Sequence, residues 1–363
     1  MLSRREVLAG SGVSAAMLSL PGCGWGTDMS DYDKALAETW AALGPTPDML
    51  EFVRYATLAA NSHNTQPWHF RLSGDRAEIL PDYSRRTPIV DPDDHHLFAS
   101  LGCAAENLAL AAAARGRHAD VAFDGVGGGR VGIDLTSAPA AESELFAAIP
   151  ERQCTRSVYD GRAVAASDLA LLEQAARVDG VKLILLTDRP RIEAVLEQVV
   201  AGNTAQINDA DFVRELKAWL RFNETEALAS RDGLFSALSG NPTLPSWLAG
   251  LVFRFAFTAG SENDRYAEQI RSSSGIAIFV GERDDKAHWV NAGRAYQRFA
   301  LQATVLGIRH AFLNQPVEVA EVRRRFADHL GLGDRRPDLV VRFGYGPEMP
   351  LSLRRPVGAV MSA

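Results

Sequence analysis

The sequence predicts an α+β fold built of two degenerate halves, with a helical insertion in the second half. Two apolar helices are predicted at 97–115 and 289–307, and each has a glycine in its second turn and ends at a further glycine, Gly116 or Gly307. This pattern is typical of a degenerate internal repeat, with a period too long for a solenoid. Segment 200–262 is longer and more aromatic than a connection between two strands requires. We therefore expect it to form a lid over a site, or alternatively a helical buttress that contacts no ligand.

Composition places the chain among ordinary globular proteins. Its 363 residues are 47% hydrophobic and 23% charged, which allows one large or two medium domains. The net charge is −7 and no long basic run occurs, so no nucleic-acid partner is expected. The three cysteines, Cys23, Cys103 and Cys154, form no CxxC pair and have no zinc-ligand spacing.

The N-terminal residues 1–30 are predicted to be an export signal and linker. The stretch Ser3-Arg4-Arg5-Glu6-Val7-Leu8 resembles a twin-arginine signal, and the apolar run after it is too short for a good transmembrane helix. Leu20-Pro21-Gly22-Cys23 resembles a lipoprotein cleavage box, so Cys23 would carry lipid; ordinary cleavage a few residues later is the alternative. We expect a protein exported by the twin-arginine route, either periplasmic or anchored to the membrane by lipid.

A polar turn follows the first long helical pattern, at 48–60, and precedes strand-like residues from His69 onward. Its hydroxyl and amide groups offer donors and acceptors beside a large aromatic ring, which suits a planar heteroaromatic ligand. A capped helix-to-strand connection is the alternative interpretation. The candidate binding residues of this turn are Ser62, Asn64, Gln66 and Trp68.

Two further polar clusters lie after the turn. The Asp and His residues between Asp91 and His96 could suggest a metal site, but a turn with Asp caps before a helix is the favoured interpretation, so no metal is predicted. Arg152 and Arg156, followed by Ser157, are suited to a phosphate because a guanidinium group binds it with two parallel hydrogen bonds. A solvated surface turn is the alternative for this second cluster.

Within the insertion, helices are predicted at 191–208 and 212–229. A buried strand is predicted at 275–280, ahead of the second apolar helix. No nucleophile elbow or catalytic triad pattern occurs in the sequence, so no catalytic acid, base or nucleophile is assigned.

The residues from Ala59 to Phe70 resemble the A-P-S-x-x-N-x-Q-P-W-x-F signature of the FMN-dependent nitroreductase family, with Asn61 where that family usually has proline. The segment from Ile149 to Tyr159 resembles the family's R-x-S-x-R-x-F/Y signature, which holds the FMN phosphate. The resemblance covers nearly all of 48–358 and implies a nitroreductase-like fold with FMN as cofactor.

The resemblance also implies how the site is assembled. The first half has the turn without the arginine signature, and the second half has the arginine signature without the turn. We therefore predict an intramolecular pseudo-dimer with one working flavin site, similar to the mycobacterial Acg branch of the family. Its predicted parts are a first half at 31–149 and a second half at 150–363, with the insertion at 200–262. By family position, Arg354 and Arg355 would join the phosphate, and Asn314 or Gln315 would lie near the reactive edge of the ring.

The predicted activity is two-electron transfer through one flavin to a nitroaromatic, a quinone or a similar acceptor. The predicted partners are a small-molecule electron donor and acceptor, and the chain is expected to be a monomer. A flavin-binding or flavin-sequestering protein without turnover is the alternative.

Overall fold

The computed structural model describes residues 29–46 and 48–362. The export and lipid signals predicted around Arg4, Arg5 and Cys23 lie outside the described residues. In the described part of the chain, the helices are α1 (Asp31–Thr39), α2 (Met49–Thr57), α3 (His95–Ala114), α4 (Glu144–Ala147), α5 (Ala166–Ala175), α6 (Arg189–Asn208), α7 (Ala210–Trp219), α8 (Glu224–Ser230), α9 (Ser246–Ala256), α10 (Ala259–Arg271), α11 (Lys286–Val305), α12 (Gln315–Glu318), α13 (Ala320–His329) and α14 (Val357–Val360).

The strands are β1 (Trp68–Ser73), β2 (Arg76–Pro81), β3 (Arg117–Asp124), β4 (Arg130–Ser137), β5 (Val181–Leu186), β6 (Leu220–Arg221), β7 (Leu234–Phe235), β8 (Gly275–Gly281), β9 (Arg309–Phe312) and β10 (Pro337–Gly344). They form two four-stranded sheets, ordered β1-β2-β4-β3 and β5-β8-β10-β9, in which all neighbouring strands are antiparallel. The remaining pair, β6 and β7, is short and parallel.

The two large sheets have the same connectivity. In each half a helix leads into two strands, a long helix follows, and two further strands complete the sheet with the same spatial order. The halves differ at the link between their first two strands. Gly74 and Asp75 make a tight turn between β1 and β2, whereas residues 187–274 separate β5 from β8 and contain α6 to α10.

The long helices α3 and α11 pack against each other in the core through one glycine each. A methyl group on Gly102 would lie 1.9 Å from the carbonyl oxygen of Val290, and one on Gly293 would lie 1.9 Å from that of Ala99. Any larger residue at either position would force the helices apart. The two contacts are reciprocal, since each glycine meets the backbone three residues before the other glycine.

Helix α3 is the one helix in the described residues whose length and apolar composition would allow it to cross a membrane. It instead lies inside the fold, with 83% of its most apolar stretch buried between α2, α11 and the first sheet. Its apolar character therefore follows from its place in the core.

The insertion departs from the predicted helices in one place. The helix predicted at 212–229 ends at Trp219, because Leu220 and Arg221 are extended and pair with β7. Asn223 then caps α8, with its side chain accepting a hydrogen bond from the backbone N–H of Glu226 at 3.0 Å.

The first described residues pack on the insertion, and the last ones pack on the first sheet. Near the start, α1 packs on α8, and the rings of Tyr32 and Phe235 lie 5.4 Å apart. Near the end, the backbone N–H of Ser362 donates to the carbonyl oxygen of Phe70 at 2.8 Å, so the last residues extend the edge of the first sheet. The second half is thus tied back onto the first.

Candidate functional site

A cavity of about 410 Å³ lies between the two halves and beneath the insertion. Residues 60–63 of the turn and the beginning of α3 form its floor. The segment 311–318 forms a side wall, and the insertion forms the roof. A smaller cavity of about 80 Å³ adjoins it. The residues that line both cavities are Ala60, Asn61, His63, Arg156, Leu234 and Phe312. We treat the two cavities as one composite site.

The predicted turn has an unusual backbone. The φ angles are 48° at His63, 53° at Asn64 and 52° at Gln66. Residues other than glycine rarely adopt this left-handed backbone conformation. Each such residue costs on the order of 1–3 kcal/mol, and strain of this kind clusters where ligands bind. The turn is held by the side chain of Asn61, whose Oδ1 accepts a hydrogen bond from the backbone N–H of Gln66 at 2.8 Å. Asparagine at position 61 therefore supplies a bond that proline could not.

Two of the four predicted turn residues reach the cavities. Ser62 lines the larger cavity, and Asn64 lines the smaller one. The side-chain amide of Asn64 has a hydrogen-bond partner at one of its two polar atoms. Its Nδ2 donates to the carbonyl oxygen of Leu353 at 3.2 Å, whereas its buried Oδ1 has no partner in the described residues.

The other two predicted turn residues, Gln66 and Trp68, line neither cavity in the structure. Trp68 is fully buried in the core beside Phe70. Gln66 is also fully buried, and its amide bridges two other parts of the chain: Nε2 donates to the carbonyl oxygen of Arg231 at 2.8 Å, and Oε1 accepts from the backbone N–H of Arg355 at 2.8 Å. Both amide atoms of Gln66 thus have internal partners, whereas Trp68 packs on Phe70 and its buried indole Nε1 has no hydrogen-bond partner in the described residues.

Arg152 and Arg354 line the smaller cavity, but they donate most of their hydrogen bonds to backbone carbonyl oxygens. Arg152 donates to the carbonyl oxygen of Leu58 at 2.9 Å, and Arg354 donates to that of Thr57 at 2.8 Å. Unpaired carbonyls at a helix C-terminus carry partial negative charge, so these cations stabilise the end of α2 just before the strained turn. Burial, followed by the nearby Arg152 charge, lowers the pKa of Arg354 to about 9.

Arg156 is different from its neighbours. It lines both cavities, and its guanidinium group has no hydrogen bond or ion pair with any described residue. Ser157 and Arg355 lie outside both cavities: Ser157 donates to the carbonyl oxygen of Pro347 at 3.2 Å, and Arg355 lies 3.8 Å from Asp82. Of the predicted phosphate ligands, Arg156 is the one whose guanidinium group has no partner in the described residues, whereas Ser157 and Arg355 have internal partners outside both cavities.

Asn314 and Gln315 line the larger cavity opposite the turn. Asn314 is fixed by the backbone N–H of Val340, which donates to its Oδ1 at 2.9 Å, and its Nδ2 lies 3.3 Å from Nε2 of His96. The Oε1 atom of Gln315 is buried and has no hydrogen-bond partner among the described residues. The two side chains therefore present a fixed amide and a free one.

Sequence reasoning missed two histidines and a carboxyl group at the site. Burial lowers the pKa of His63 to about 4, helped by the charge of Arg156, and lowers that of His96 to about 3. Both rings are therefore neutral near pH 7. Burial raises the pKa of Glu318 to about 7, although a hydrogen bond at 2.6 Å from Gln206 of the insertion opposes the shift. His63 lies within the turn motif, so its place in the sequence could have indicated that it belongs to the site. Glu318 and Gln206 are 112 positions apart, so no local pattern indicates their contact.

The roof of the larger cavity comes from α6, α7, β7, α9 and α10 of the insertion. Its apolar lining residues are Phe212, Leu216, Leu220, Phe222, Leu234, Phe235, Leu244, Ala249, Val252, Phe253, Ala256 and Phe257. The rings of Phe253 and Phe257 stack at 4.6 Å. Polar side chains line both sides of the cavity, with Asn203, Gln206 and Asn241 among those on the side of the insertion, so the apolar groups of the roof alternate with polar ones.

The cluster between Asp91 and His96 begins α3. The carboxylate of Asp91 accepts hydrogen bonds from the backbone N–H groups of His96 and Leu97, each at 3.0 Å. Nε2 of the neighbouring His95 lies 2.9 Å from the carboxylate of Asp338 on β10. These contacts hold the start of α3, and hence His96 and Ser100, against the cavity.

The fold and the cavities together define an α+β protein of two similarly connected halves with an internal cavity between them. The chain is 28% identical over 321 residues, 84% of its length and 88% of theirs, to two proteins from strains of Mycobacterium tuberculosis named "Putative NAD(P)H nitroreductase", MT3217 and Rv3131. These relatives support the predicted nitroreductase class, and their names agree with the prediction of an enzyme. No family model matches the chain.

Solved structures with similarity to the chain include two nitroreductases. One is a nitroreductase with bound FMN from Bacteroides fragilis, 17% identical, with a TM-score of 0.35 over 59% of this chain and 94% of that one. Another is the FMN-dependent nitroreductase NfnB from Mycobacterium smegmatis in complex with NADPH, 14% identical, with a TM-score of 0.38 over 56% of this chain and 87% of that one.

Proposed function

We propose that the chain is an oxidoreductase of the nitroreductase family that binds one FMN and passes two electrons to a small acceptor. The observation that carries the proposal is the convergence of two half-motifs. The turn of the first half and the arginine segment of the second half meet at one composite cavity, although about ninety residues separate them in sequence. Each half supplies what the other lacks.

The polar groups around the cavity suit FMN. Six buried polar atoms of the lining residues have no hydrogen-bond partner among the described residues: Nδ1 of His63, Oδ1 of Asn64, Nδ1 of His96, Nε of Arg152, Nε of Arg265 and Oε1 of Gln315. Buried polar atoms in native proteins are nearly always satisfied, so these atoms require a ligand or ordered water. The free guanidinium of Arg156 would hold the phosphate, and Arg152 would assist through its Nε.

The remaining residues would position the ring. Ser62, Asn314 and Gln315 offer hydroxyl and amide groups that can donate to or accept from its polar edge. His63 and His96 are neutral near pH 7, so they contribute dipoles, and the positive charge of the site comes from its arginines. FMN supplies the two-electron chemistry when it is bound, and no protein group is required as a catalytic acid or base. Amide and cation contacts would stabilise the charge of the reduced ring.

We also propose a fused pseudo-dimer with a single site. The connection from α2 to β1 spans residues 58–67 and contains the strained turn, whereas the equivalent connection from α5 to β5 spans only 176–180. The shorter connection has no amide or hydroxyl side chain, because it reads Ala-Arg-Val-Asp-Gly. It therefore lacks the groups that would bind a second flavin, which supports the similarity to the Acg branch and a monomeric protein.

The insertion is proposed to act as the lid. Its aromatic residues line the roof, and residues 231–233 are joined to the turn by three contacts. Gln66 donates to the carbonyl oxygen of Arg231, the backbone N–H of Gly233 donates to that of Asn64 at 3.1 Å, and Asp232 pairs with Arg85. A lid held this way would limit which acceptors enter and slow exchange of the cofactor.

Export by the twin-arginine route, with lipid on Cys23, remains our proposal for localisation and rests on the sequence alone. Replacing Arg4 and Arg5 with lysine keeps the charge but removes the guanidinium pair. The double variant is expected to stay in the cytoplasm in a fractionation experiment, and unchanged export would remove the assignment.

The experiment that tests the function is a visible spectrum of the purified chain followed by turnover. We expect a flavin spectrum that bleaches on anaerobic reduction, and steady-state reduction of a soluble quinone or nitroaromatic with NADPH or an artificial donor. A bound flavin that bleaches but supports no turnover with any donor would instead indicate a flavin-sequestering protein. A colourless chain that takes up no FMN would refute the proposal.

A further inference from the structure

Helix α9, in the roof of the cavity, exposes a continuous apolar face. Trp247, Leu251 and Phe255 are 76%, 50% and 71% exposed, and they follow one another at intervals of four residues along the helix. Residues at this spacing lie on one side of an α-helix. No other helix or strand in the described residues presents more than one exposed large apolar side chain. Single exposed apolar residues are ordinary, but a stripe of three is typical of an interaction site.

The opposite face of the same helix lines the larger cavity. Ala249 is buried there, and Phe253 stacks on Phe257 inside the roof. Val252, which is 41% exposed, also belongs to the cavity lining and lies between the two faces. One helix of eleven residues therefore separates the outer apolar stripe from the apolar part of the cavity.

The charges around the stripe favour an anionic lipid surface over a protein partner. Helix α9 contains no acidic residue, and its one charged residue, Arg254, is exposed and has no ion pair in the described chain. Nζ of Lys217 on α7 would lie 3.8 Å from a methyl group on Gly250, so a second unpaired cation borders the helix. A tryptophan and phenylalanines on one side with basic residues at the edge are typical of helices that lie in a lipid interface.

The beginning of the described chain lies on the same part of the molecule. Helix α1 packs on α8 of the insertion, and Tyr32 contacts Phe235, which lines the cavity. Met29, the first described residue, is itself 52% exposed. Five residues lie between it and Cys23, and the six Cα-to-Cα steps span at most about 20 Å. A lipid on Cys23, as proposed above, would thus hold the insertion close to the bilayer.

We propose that the stripe of Trp247, Leu251 and Phe255 lies on an anionic lipid surface, so that the acceptor reaching the cavity through the roof is a lipophilic quinone from the bilayer. This inference rests on the proposed function for its acceptor but not for its surface contact. Reduction of the quinone to the quinol takes up two electrons, which the electron donor and FMN would supply when bound, and two protons from solvent. The aromatic and aliphatic side chains of the roof suit such a substrate, because burying its apolar surface against them removes that surface from water.

The surface contact is tested without any turnover. The full chain is mixed with vesicles of equal parts phosphatidylglycerol and phosphatidylcholine whose acyl chains carry bromine, which quenches nearby tryptophan fluorescence. We expect Trp247→Phe to remove a large part of the quenched signal. Trp40→Phe is the matched control, because Trp40 is half-buried under Arg354 and bonded to the carbonyl oxygen of Ser352, and it should leave the quenching unchanged.

The acceptor class is tested with two quinones and two triple variants. One variant replaces Trp247, Leu251 and Phe255 with serine, and the control replaces Leu50, Val126 and Leu171, which are exposed elsewhere. We expect the first variant to reduce a long-chain quinone in vesicles about tenfold more slowly while reducing a short-chain soluble quinone at the original rate. The control should match the unmodified chain with both quinones.

The outcomes separate this inference from the proposed function. If the unmodified chain reduces no soluble quinone, the proposed function fails while the quenching experiment still decides the lipid contact. Equal quenching in the chain and in Trp247→Phe would overturn the lipid contact. Shielding of Trp247 that grows with protein concentration, without quenching by lipid, would also overturn it and show that a second copy of the chain covers the stripe. Equal losses with both quinones would overturn the lipophilic acceptor.

Discussion

The side-chain amide of Gln66, in the strained turn, donates a hydrogen bond to the carbonyl oxygen of Arg231 in the insertion at 2.8 Å. Arg231 is itself in a left-handed conformation, with a φ angle of 52°. The next residue, Asp232, accepts hydrogen bonds from both Arg85 and Arg221. The turn and the insertion are therefore joined at 231–233, and opening the lid requires these contacts to break.

The first prediction concerns this junction. Arg85→Ala removes the ion pair to Asp232, the hydrogen bond to the carbonyl oxygen of Thr65 and the contact of Arg85 with the ring of Trp219 at 5.3 Å. A half-buried contact of this kind contributes about 1–3 kcal/mol, so FMN should dissociate roughly tenfold faster and iodide should quench its fluorescence more strongly. Arg71→Ala, which removes an exposed pair with Glu78, is the control. Unchanged dissociation in the Arg85 variant would show that the insertion is a buttress.

The second prediction concerns the phosphate. Arg156→Ala should weaken FMN binding about tenfold to a hundredfold, because a charge-assisted contact contributes roughly 1.5–3 kcal/mol. Arg191→Ala serves as the matched control, since Arg191 is exposed and its pair with Asp188 is loose at 4.0 Å. Equilibrium titration with FMN measures both variants. Equal affinities would mean that Arg156 does not contact the phosphate.

Much of this account could be predicted from the sequence, and the residues show where the prediction stops. The alternation of helices and strands, the repeated glycine helices and the position of the turn follow from local patterns. Gln66 and Trp68 belong to the motif but are fully buried and line neither cavity. A sequence motif does not distinguish a residue that contacts a ligand from one that supports the turn. The contacts of Glu318 with Gln206, and of Arg354 with the end of α2, depend on residues more than a hundred positions apart. Such contacts are set by tertiary packing, which periodicity does not report.

The third prediction concerns the packing of α3 against α11. Gly102→Ala places a methyl group where the backbone of Val290 lies, so the helices must separate and the stability loss should reach about 3 kcal/mol or more. Gly293→Ala should have a similar effect, because its contact with Ala99 is the reciprocal one. Gly260→Ala in α10 is the control, since no atom lies within 4 Å of the added methyl group, and it should be neutral or slightly stabilising. Chemical denaturation measures all three, and equal midpoints would contradict the close approach.

The fourth prediction concerns pH. Burial raises the pKa of Glu318 from 4.5 to about 7, so between these values the folded chain holds a proton that the unfolded chain has lost. The contribution of Glu318 to stability is therefore present below pH 4.5 and declines as the pH rises toward 7. Glu318→Gln keeps an acceptor for Gln206 and removes the titration. Denaturation at pH 5 and pH 8 should show the variant gaining stability relative to the original chain, by up to about 3 kcal/mol.

A constant difference between the two proteins across this range would show that Glu318 is ionised in the folded chain. Asp91 and Asp338 also have pKa values raised by burial, to about 6 and about 7, and they are present in both proteins. The difference between the two curves therefore reports Glu318 together with its Coulomb coupling to Asp91.

The central claim is that two half-motifs from one chain build one flavin site. The most direct test is the number of FMN equivalents bound per polypeptide, measured from flavin absorbance against protein concentration after titration to saturation and removal of free cofactor. The account predicts one equivalent, lost on Arg156→Ala at dilute concentration and kept in the Arg191→Ala control. Two tightly bound equivalents per chain, or none at saturating FMN, would contradict it.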